Sequence, residues 1–547
     1  LEPLREAVVG DVRPTLLVLL GAVGLFLLIA GANAAALVLS RGLARGRELG
    51  IRTVLGAGRE RLVRQVLFET LTLALAAGVA GIALAAGALR VLRSTGALAL
   101  PRAESLGIDL RVAGFGLGLA VAVGLVFGLA PALRLSRGGL GGILREGAVR
   151  VSGAPRARSA LVVAQIALAV ILTVGAGLLG RSLWSLLAVE PGFDPEGVLL
   201  AEIKLPESRY PAPRSAYPRL PEVLGFYDRA LERVAAIPGV AVASAAANHP
   251  MQRGWTSRTE AEGYVPPPGP PDEARIRPVA PGYFEAVGVE LLRGRAIEVR
   301  DRVNDPPVLV INRAFAERYF AGRDPIGRTV AFWDTPRQVV GVVADVRFAG
   351  LGEPVEPAVY PALHQLPMGQ FSLVLKTAMA PLDLADELRA AVAEIDPDLA
   401  LFNVRSLEQA VAETLGRPRF ELSLMAVYAL LALALAAIGV YGLVAQAVLE
   451  RTREIGVRMA LGADRRRVLR LVLGGGAALA GLGVALGLVG ASLLTRLAAS
   501  LLHGVRPLDP ATFATVAAVL AAVALAAAAL PAWRATRVDP VTALRQE

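Results

Sequence analysis

The chain is predicted to be a polytopic α-helical membrane protein, three helices plus four in a parallel tandem repeat, with a large α+β domain inserted between helices 4 and 5. Three observations carry that prediction. First, 54% of its 547 residues are hydrophobic and only 19% are charged, too apolar a balance for a soluble chain of this length. Second, runs free of Asp, Glu, Lys and Arg cover residues 14–40, 70–89, 112–133, 159–180, 422–449, 471–495 and 510–533. Third, Arg47 to Leu67 aligns without a gap on Arg453 to Leu473, 406 positions later, with 12 identities in 21 positions. Arg, Glu and Gly do most of that matching, so shared apolar bulk does not explain it.

Each uncharged run is as long as the roughly 20 residues that a helix needs to cross a hydrocarbon core. Seven spans are therefore expected. Hydrocarbon obliges the backbone to satisfy its own hydrogen bonds, and these Ala/Leu/Val/Gly runs lack the alternation of a transmembrane barrel. Their small residues suit close helix approach. Asn33, Gln165 and Gln446 are the polar positions inside the runs, expected to bond between helices. Asp109 and Asp509 are expected to cap helices. The absence of acidic or basic groups within the spans disfavours an ion-coupled carrier.

Residues 41–64 hold seven Arg, 134–158 six and 451–470 seven, with Arg534, Arg537 and Arg545 after the last run. The positive-inside rule places all four stretches in the cytoplasm. The loop with Arg90, Arg93, Arg102 and Arg111 opposes this, but the inner loops outweigh it. Between Glu190 and Glu421 there are 32 acidic and 25 basic residues, so this segment is acidic and falls outside. The arginines flank spans without interleaved aromatics, which speaks against nucleic acid as a partner.

Outside that segment the halves correspond. Pro131-Ala132-Leu133-Arg134 answers to Pro531-Ala532-Trp533-Arg534, and Asp109 and Asp509 each precede their proline by 22 positions. The expected domains are 1–14, the end of a missing first outer domain; 15–150, a three-helix unit; 151–187, the first helix of a second module; 188–418, the soluble domain; and 419–547, a second three-helix unit. The chain is thus expected to be N-terminally incomplete. Within 188–418, helices are expected at Phe226–Ala236, Ala314–Phe320, Leu382–Ile395 and Ser406–Thr414. The last opens with a capping box, Ser406-Leu407-Glu408-Gln409. Strands are expected at Val240–Ala247, Val308–Asn312, Val339–Val346 and Phe371–Thr377, and a loop at the proline-rich Val265–Pro271.

Chemistry-bearing motifs are few. The two lysines, Lys204 and Lys376, follow no phosphate-cradling glycine loop. His249, His364 and His503 are scattered, and there is no Cys, no His-Glu-x-x-His and no Gly-x-Ser-x-Gly. Catalytic, metal and cofactor sites are accordingly predicted absent.

The order of one helix, a large outer domain and three helices, with Arg-Glu-x-Gly-x-Arg-x-x-x-Gly-Ala after the second, resembles the ABC-transporter permeases of the MacB and FtsX type. Gly282-Tyr283-Phe284, Leu292-Arg293-Gly294-Arg295, Asp324-Pro325-Ile326-Gly327 and Val340-Gly341-Val342-Val343 look like that family's periplasmic core domain. Ile438-Gly439-Val440-Tyr441-Gly442 and Asp539-Pro540-Val541-Thr542-Ala543-Leu544-Arg545 look like its permease segment. Two modules in tandem resemble the duplicated permeases described chiefly from acidobacteria. The resemblance implies an inner-membrane permease with domain 188–418 in the periplasm, moved by ATP that a cytoplasmic P-loop ATPase partner uses. That partner would grip Arg47, Glu48, Gly50, Arg52, Gly56 and Ala57, and likewise Arg453, Glu454, Gly456, Arg458, Gly462 and Ala463. A periplasmic adaptor or second permease is a further implied partner beside the bilayer. The function implied is export of an undetermined substrate, or, alternatively, control of a periplasmic partner such as a cell-wall hydrolase.

Overall fold

The computed structural model describes residues 13–44, 59–94, 107–137, 154–210, 221–268, 272–348, 350–450, 457, 464–497 and 499–535. The chain forms two compact units, one of Leu1–Ser185 with Pro418–Glu547 and one of Leu186–Arg417.

Four long helices come first: α1 Arg13–Ala44, α2 Arg59–Ser94, α3 Leu110–Arg137 and α4 Ala154–Leu187. Asp109 caps α3 by accepting the Val112 N–H at 2.8 Å, as its position before the apolar run implied.

The second unit is built on two sheets. In chain order it contains β1 Val198–Lys204, α5 Pro221–Ala235, β2 Val240–Ala246, β3 Trp255–Arg258, β4 Glu260–Ala261, β5 Glu273–Ile276 and the short α6 Tyr283–Ala286. It continues through β6 Leu291–Gly294, β7 Val308–Asn312, α7 Arg313–Phe320, β8 Thr329–Phe332, β9 Thr335–Val343, β10 Ala358–Pro361 and β11 Gln370–Thr377. A 3₁₀ turn at Pro381–Leu384 leads into α8 Ala385–Ile395, then β12 Phe402–Ser406 and α9 Leu407–Thr414. The first sheet has the antiparallel order β12-β1-β11-β2; the second is mixed, β3-β5-β10-β7-β9-β8-β4, with β6 added along β9.

Period-two alternation sorts the core. From β1, Leu199, Ala201 and Ile203 pack with Phe226, Ala230 and Val234 of α5 and Leu388 and Val392 of α8, while Val198 and Leu200 join Val308, Val310 and Tyr360 of the second sheet. Leu309 and Ile311 of β7 turn the other way, onto Phe315, Tyr319 and Phe320 of α7. Strands buried on both faces read as continuous apolar runs, which is why Val-Leu-Val-Ile-Asn was legible as one.

Several expectations shift. Helix α5 begins at Pro221, where proline suits a first helical turn. The expected strand Val339–Val346 is β9, moved N-terminally because it closes a hairpin with β8 through Trp333 and Asp334. The expected helix Leu382–Ile395 is split between the 3₁₀ turn and α8. Ser406 and Gln409 make both bonds of a capping box.

The first unit resumes with α10 Gly416–Glu450, α11 Arg465–Leu497 and α12 Pro510–Ala535. Asp509 caps α12, taking the Thr512 N–H at 2.8 Å. Among the described residues six stretches are long and apolar enough to cross a membrane: Leu16–Ala34, Val63–Val91, Ser159–Leu187, Gly416–Leu449, Leu473–Arg496 and Pro510–Arg534. The seventh expected span, 112–133, is helical within α3, but its described apolar segment is Leu110–Val126. The expectations for residues 1–12 and for Asp539 to Arg545 lie outside the described residues.

Candidate functional site

The repeated turns are bracketed by helix ends. Ala44 and Arg59 enclose residues 45–58, and Glu450 and Arg465 enclose 451–464, each bound displaced by the same 406 positions as the sequence repeat. Arg47, Glu48, Gly50, Arg52, Gly56 and Ala57 lie outside the described residues, as do Arg453, Glu454, Gly456, Arg458, Gly462 and Ala463. What the structure gives is the helix core to which the turns are attached.

Small residues let that core close. Glycines Gly483, Gly487 and Gly490 of α11 fall at i, i+4 and i+7, hence on one helix face, and that face meets α4. A Cβ on Gly487 would stand 2.5 Å from Val170 Cβ and 2.8 Å from the Ala167 carbonyl oxygen; one on Gly483 would stand 2.7 Å from Ile166 Cβ. Three helices also meet at polar atoms: Gln165 Nε2 of α4 donates to Asn33 Oδ1 of α1 at 2.8 Å, and Asn33 Nδ2 donates to the Leu435 carbonyl of α10 at 3.4 Å. Phe26 of α1 stacks on Tyr428 of α10 with centroids 5.9 Å apart. The expectation of interhelical bonding at Asn33 and Gln165 thus has its geometry. At the α12 end, Arg534 donates to the Tyr441 hydroxyl at 3.1 Å.

The soluble unit holds its ionisable groups in structural roles. His249 is buried; the Arg405 guanidinium lies 3.3 Å from Nε2 and the Met251 N–H 3.3 Å from Nδ1. With burial first, then the charges of Arg405 and Arg277, its pKa falls to about 3, so the ring is neutral. Burial also lowers His364, against the pull of Asp228, whose carboxylate lies 3.1 Å from Nε2. Burial works to raise Asp228, but bonds from Arg302 and His364 outweigh it and hold the carboxyl below its ordinary range. Lys376 donates to Asp194 and to the Glu196 carbonyl, both at 2.7 Å, and lowers the Asp194 pKa. Among the described residues no group of three or more His, Cys, Asp or Glu is gathered as a metal site.

Sequence reading missed Arg277. Its side chain is fully buried, and it donates to the carbonyls of Gln252 at 2.9 Å, Asn248 at 3.1 Å and His249 at 2.7 Å. The guanidinium also lies 4.1 Å from the Phe348 ring centroid, a cation–π contact. Five donors in a rigid fork suit a bend of carbonyls that a lysine would serve poorly. Arg277 therefore pins the segment that carries the chain from one sheet to the other.

Comparison with known proteins accords with this architecture. The FtsX-like permease C-terminal family matches residues 20–140 and again 426–540, and the MacB-like periplasmic core domain family matches 159–396. The macrolide export ATP-binding/permease protein MacB of Neisseria gonorrhoeae is 28% identical over 291 residues, covering 50% of this chain and 44% of that protein. The probable syringafactin export ATP-binding/permease protein SyfD of Pseudomonas syringae pv. tomato is 27% identical over 306 residues, covering 50% and 42%. The chain thus spans less than half the length of these relatives. The crystal structure of the periplasmic region of MacB from Actinobacillus actinomycetemcomitans aligns with a TM-score of 0.28 at 14% identity, covering 41% of this chain and 95% of that one. With the permease segment matched twice and the core domain between the two matches, the chain belongs to the MacB/FtsX type of ABC-transporter permeases.

Proposed function

We propose that this chain carries motion from a cytoplasmic ATPase across the inner membrane to a periplasmic domain, for export of a substrate. The observation that carries the reading is the pair of Arg-Glu-x-Gly-x-Arg turns, each inside an FtsX-like match and bracketed by helix ends at one common displacement. In this reading both turns face the cytoplasm, as their arginines favour, and residues 188–418 lie in the periplasm. Arg47, Arg52, Arg453 and Arg458 engage carboxylates of the ATPase, and Glu48 and Glu454 engage its basic groups. Gly50, Gly56, Ala57, Gly456, Gly462 and Ala463 leave room for close approach. ATP is bound and hydrolysed by the partner, since no phosphate-binding loop is present in this sequence. Helices that are packed backbone to backbone, as α4 and α11 are, pass on small rigid-body shifts rather than absorbing them. The outward direction is taken from the export activity named for the relatives.

The test is charge reversal in both turns. A Glu48→Lys/Glu454→Lys chain, purified from native membranes, should lose the co-purifying P-loop ATPase that the parent retains. Unchanged association removes the assignment.

A further inference from the structure

The end of α4 that leads into the soluble unit is held by the segment joining α11 to α12. The Ser182 hydroxyl accepts the His503 main-chain N–H at 2.8 Å, and the Arg181 guanidinium donates to the Asp509 carboxylate. The same Asp509 oxygen takes the Thr512 N–H at 2.8 Å and the Thr512 hydroxyl at 2.6 Å. One carboxylate thus caps α12 and grips α4. Gly504, at φ +67, lies so close to α4 that a Cβ on it would stand 2.1 Å from Ser185 Oγ, and a Cβ on Gly177 would stand 2.9 Å from Thr512 Cγ2. Gly177, Arg181 and Ser185 follow at intervals of four residues, so the contacts share one face of α4. Leu502 and Val505 of the connecting segment pack on the helix core.

The other half lacks this arrangement. Asp109, 400 positions before Asp509, caps α3 in the same way, yet among the described residues it has no ion pair. Capping alone therefore does not account for what surrounds Asp509.

We propose that residues 499–509 form a latch fastening α4 to α12, so that α4, α11 and α12 move as one body. The inference rests on the reading of the chain as a transmitter of motion. A half-exposed ion pair such as Arg181–Asp509 contributes little by itself; the main-chain bond at Ser182, the close approach at Gly504 and the glycine seam between α4 and α11 supply the rigidity, and the ion pair sets the position. Displacement of α11 then reaches α4, and with it the chain entering β1, without slippage.

The chain contains no cysteine, so labels can be placed singly. Spin labels at Trp184→Cys and Leu508→Cys in the full chain in lipid nanodiscs, without nucleotide or partner, should report one narrow distance. Arg181→Gln with Ser182→Val should lose that narrow distance. A broad distribution in the parent, or an unchanged one in the variant, overturns the latch. Should the variant fail to fold, the pair Ser185→Cys/Gly504→Cys serves instead. The Cβ at 504 would lie 3.2 Å from Ser185 Cβ, near the roughly 3.5–4.5 Å of a disulfide. Oxidation should cross-link it within one chain and leave ATP-driven transport intact. No cross-link, or transport lost on cross-linking and regained on reduction, overturns the one-body claim. Because the distances are read without ATPase, failure of the coupling assignment leaves them unaffected, and the two failures are told apart.

Discussion

Gly487 gives the strongest single test of the helix core. An added methyl would meet Val170 Cβ at 2.5 Å, the Ala167 oxygen at 2.8 Å and the Ala167 Cα at 2.9 Å, whereas carbon atoms rest at about 3.5–4.0 Å. Two of those three atoms are backbone and cannot rotate away. Relief requires α4 and α11 to part by about 1 Å, a change of contact that Gly483 and Gly490 on the same face would share. Overpacking of this kind costs about 1–3 kcal/mol. Alanine for glycine inside a helix returns up to about 1 kcal/mol, so Gly487→Ala should destabilise by a net ~1–2 kcal/mol. A methyl added to Gly481, on the same helix, would have nothing within 4 Å, and Gly481→Ala should be neutral or gain up to about 1 kcal/mol. The assay is denaturant unfolding of both full-length variants in one lipid nanodisc preparation. Equal midpoints for the two would refute the backbone-to-backbone packing of α4 on α11, and with it the transmission argument.

Two further outcomes follow from the soluble unit. Arg277→Leu leaves the carbonyls of Asn248, His249 and Gln252 without their donor, and buried acceptors so stranded cost about 1–3 kcal/mol each; amide exchange in residues 248–252 should accelerate well beyond that of α5, and equal protection would refute the pin. His249 is depressed to about 3 from 6.5, so between those values the unfolded chain binds a proton that the folded chain excludes. Its contribution is fully present above pH 6.5 and is lost as pH falls toward 3. His249→Gln should flatten the stability profile between about pH 6.5 and 5, above the range where carboxylates titrate, and an unaltered slope there would count against the buried neutral ring.

What the sequence revealed was what short-range physics controls. Ser406 and Gln409 lie three residues apart, and their reciprocal bonds at 3.1 Å need nothing from the rest of the chain. The caps at Asp109 and Asp509 are equally local. Arg277 was invisible because its surroundings arrive from far away: acceptors from residues 248–252, and Phe348 from beyond β9. The β8–β9 hairpin was missed for a different reason. Its tip residues, Trp333 and Asp334, sit at φ +49 and +56 without a glycine, so the usual turn signal was missing. The candidate turns were legible as a repeat, and the structure adds the helix ends that frame them. Why α4 closes on α11 was not legible, since a glycine on an apolar helix looks the same whether it faces lipid or a neighbour.

Fusion of two permease segments into one chain removes a constraint that a symmetric dimer would impose, because equivalent positions need no longer carry the same residue. Asn33 and Gly439 are equivalent under the displacement of 406, and the structure shows why they differ. Asn33 accepts from Gln165 and donates to the Leu435 carbonyl, while a Cβ on Gly439 would lie 2.3 Å from Gln165 Oε1. An asparagine at both positions would drive a side chain into Gln165; a glycine at both would leave Gln165 Nε2 without this acceptor in an apolar layer, where such interhelical bonds are worth about 0.6–2 kcal/mol. The pair works only because it is unequal. Gln165 stands beside both, so one half supplies the polar partner and the other supplies the space.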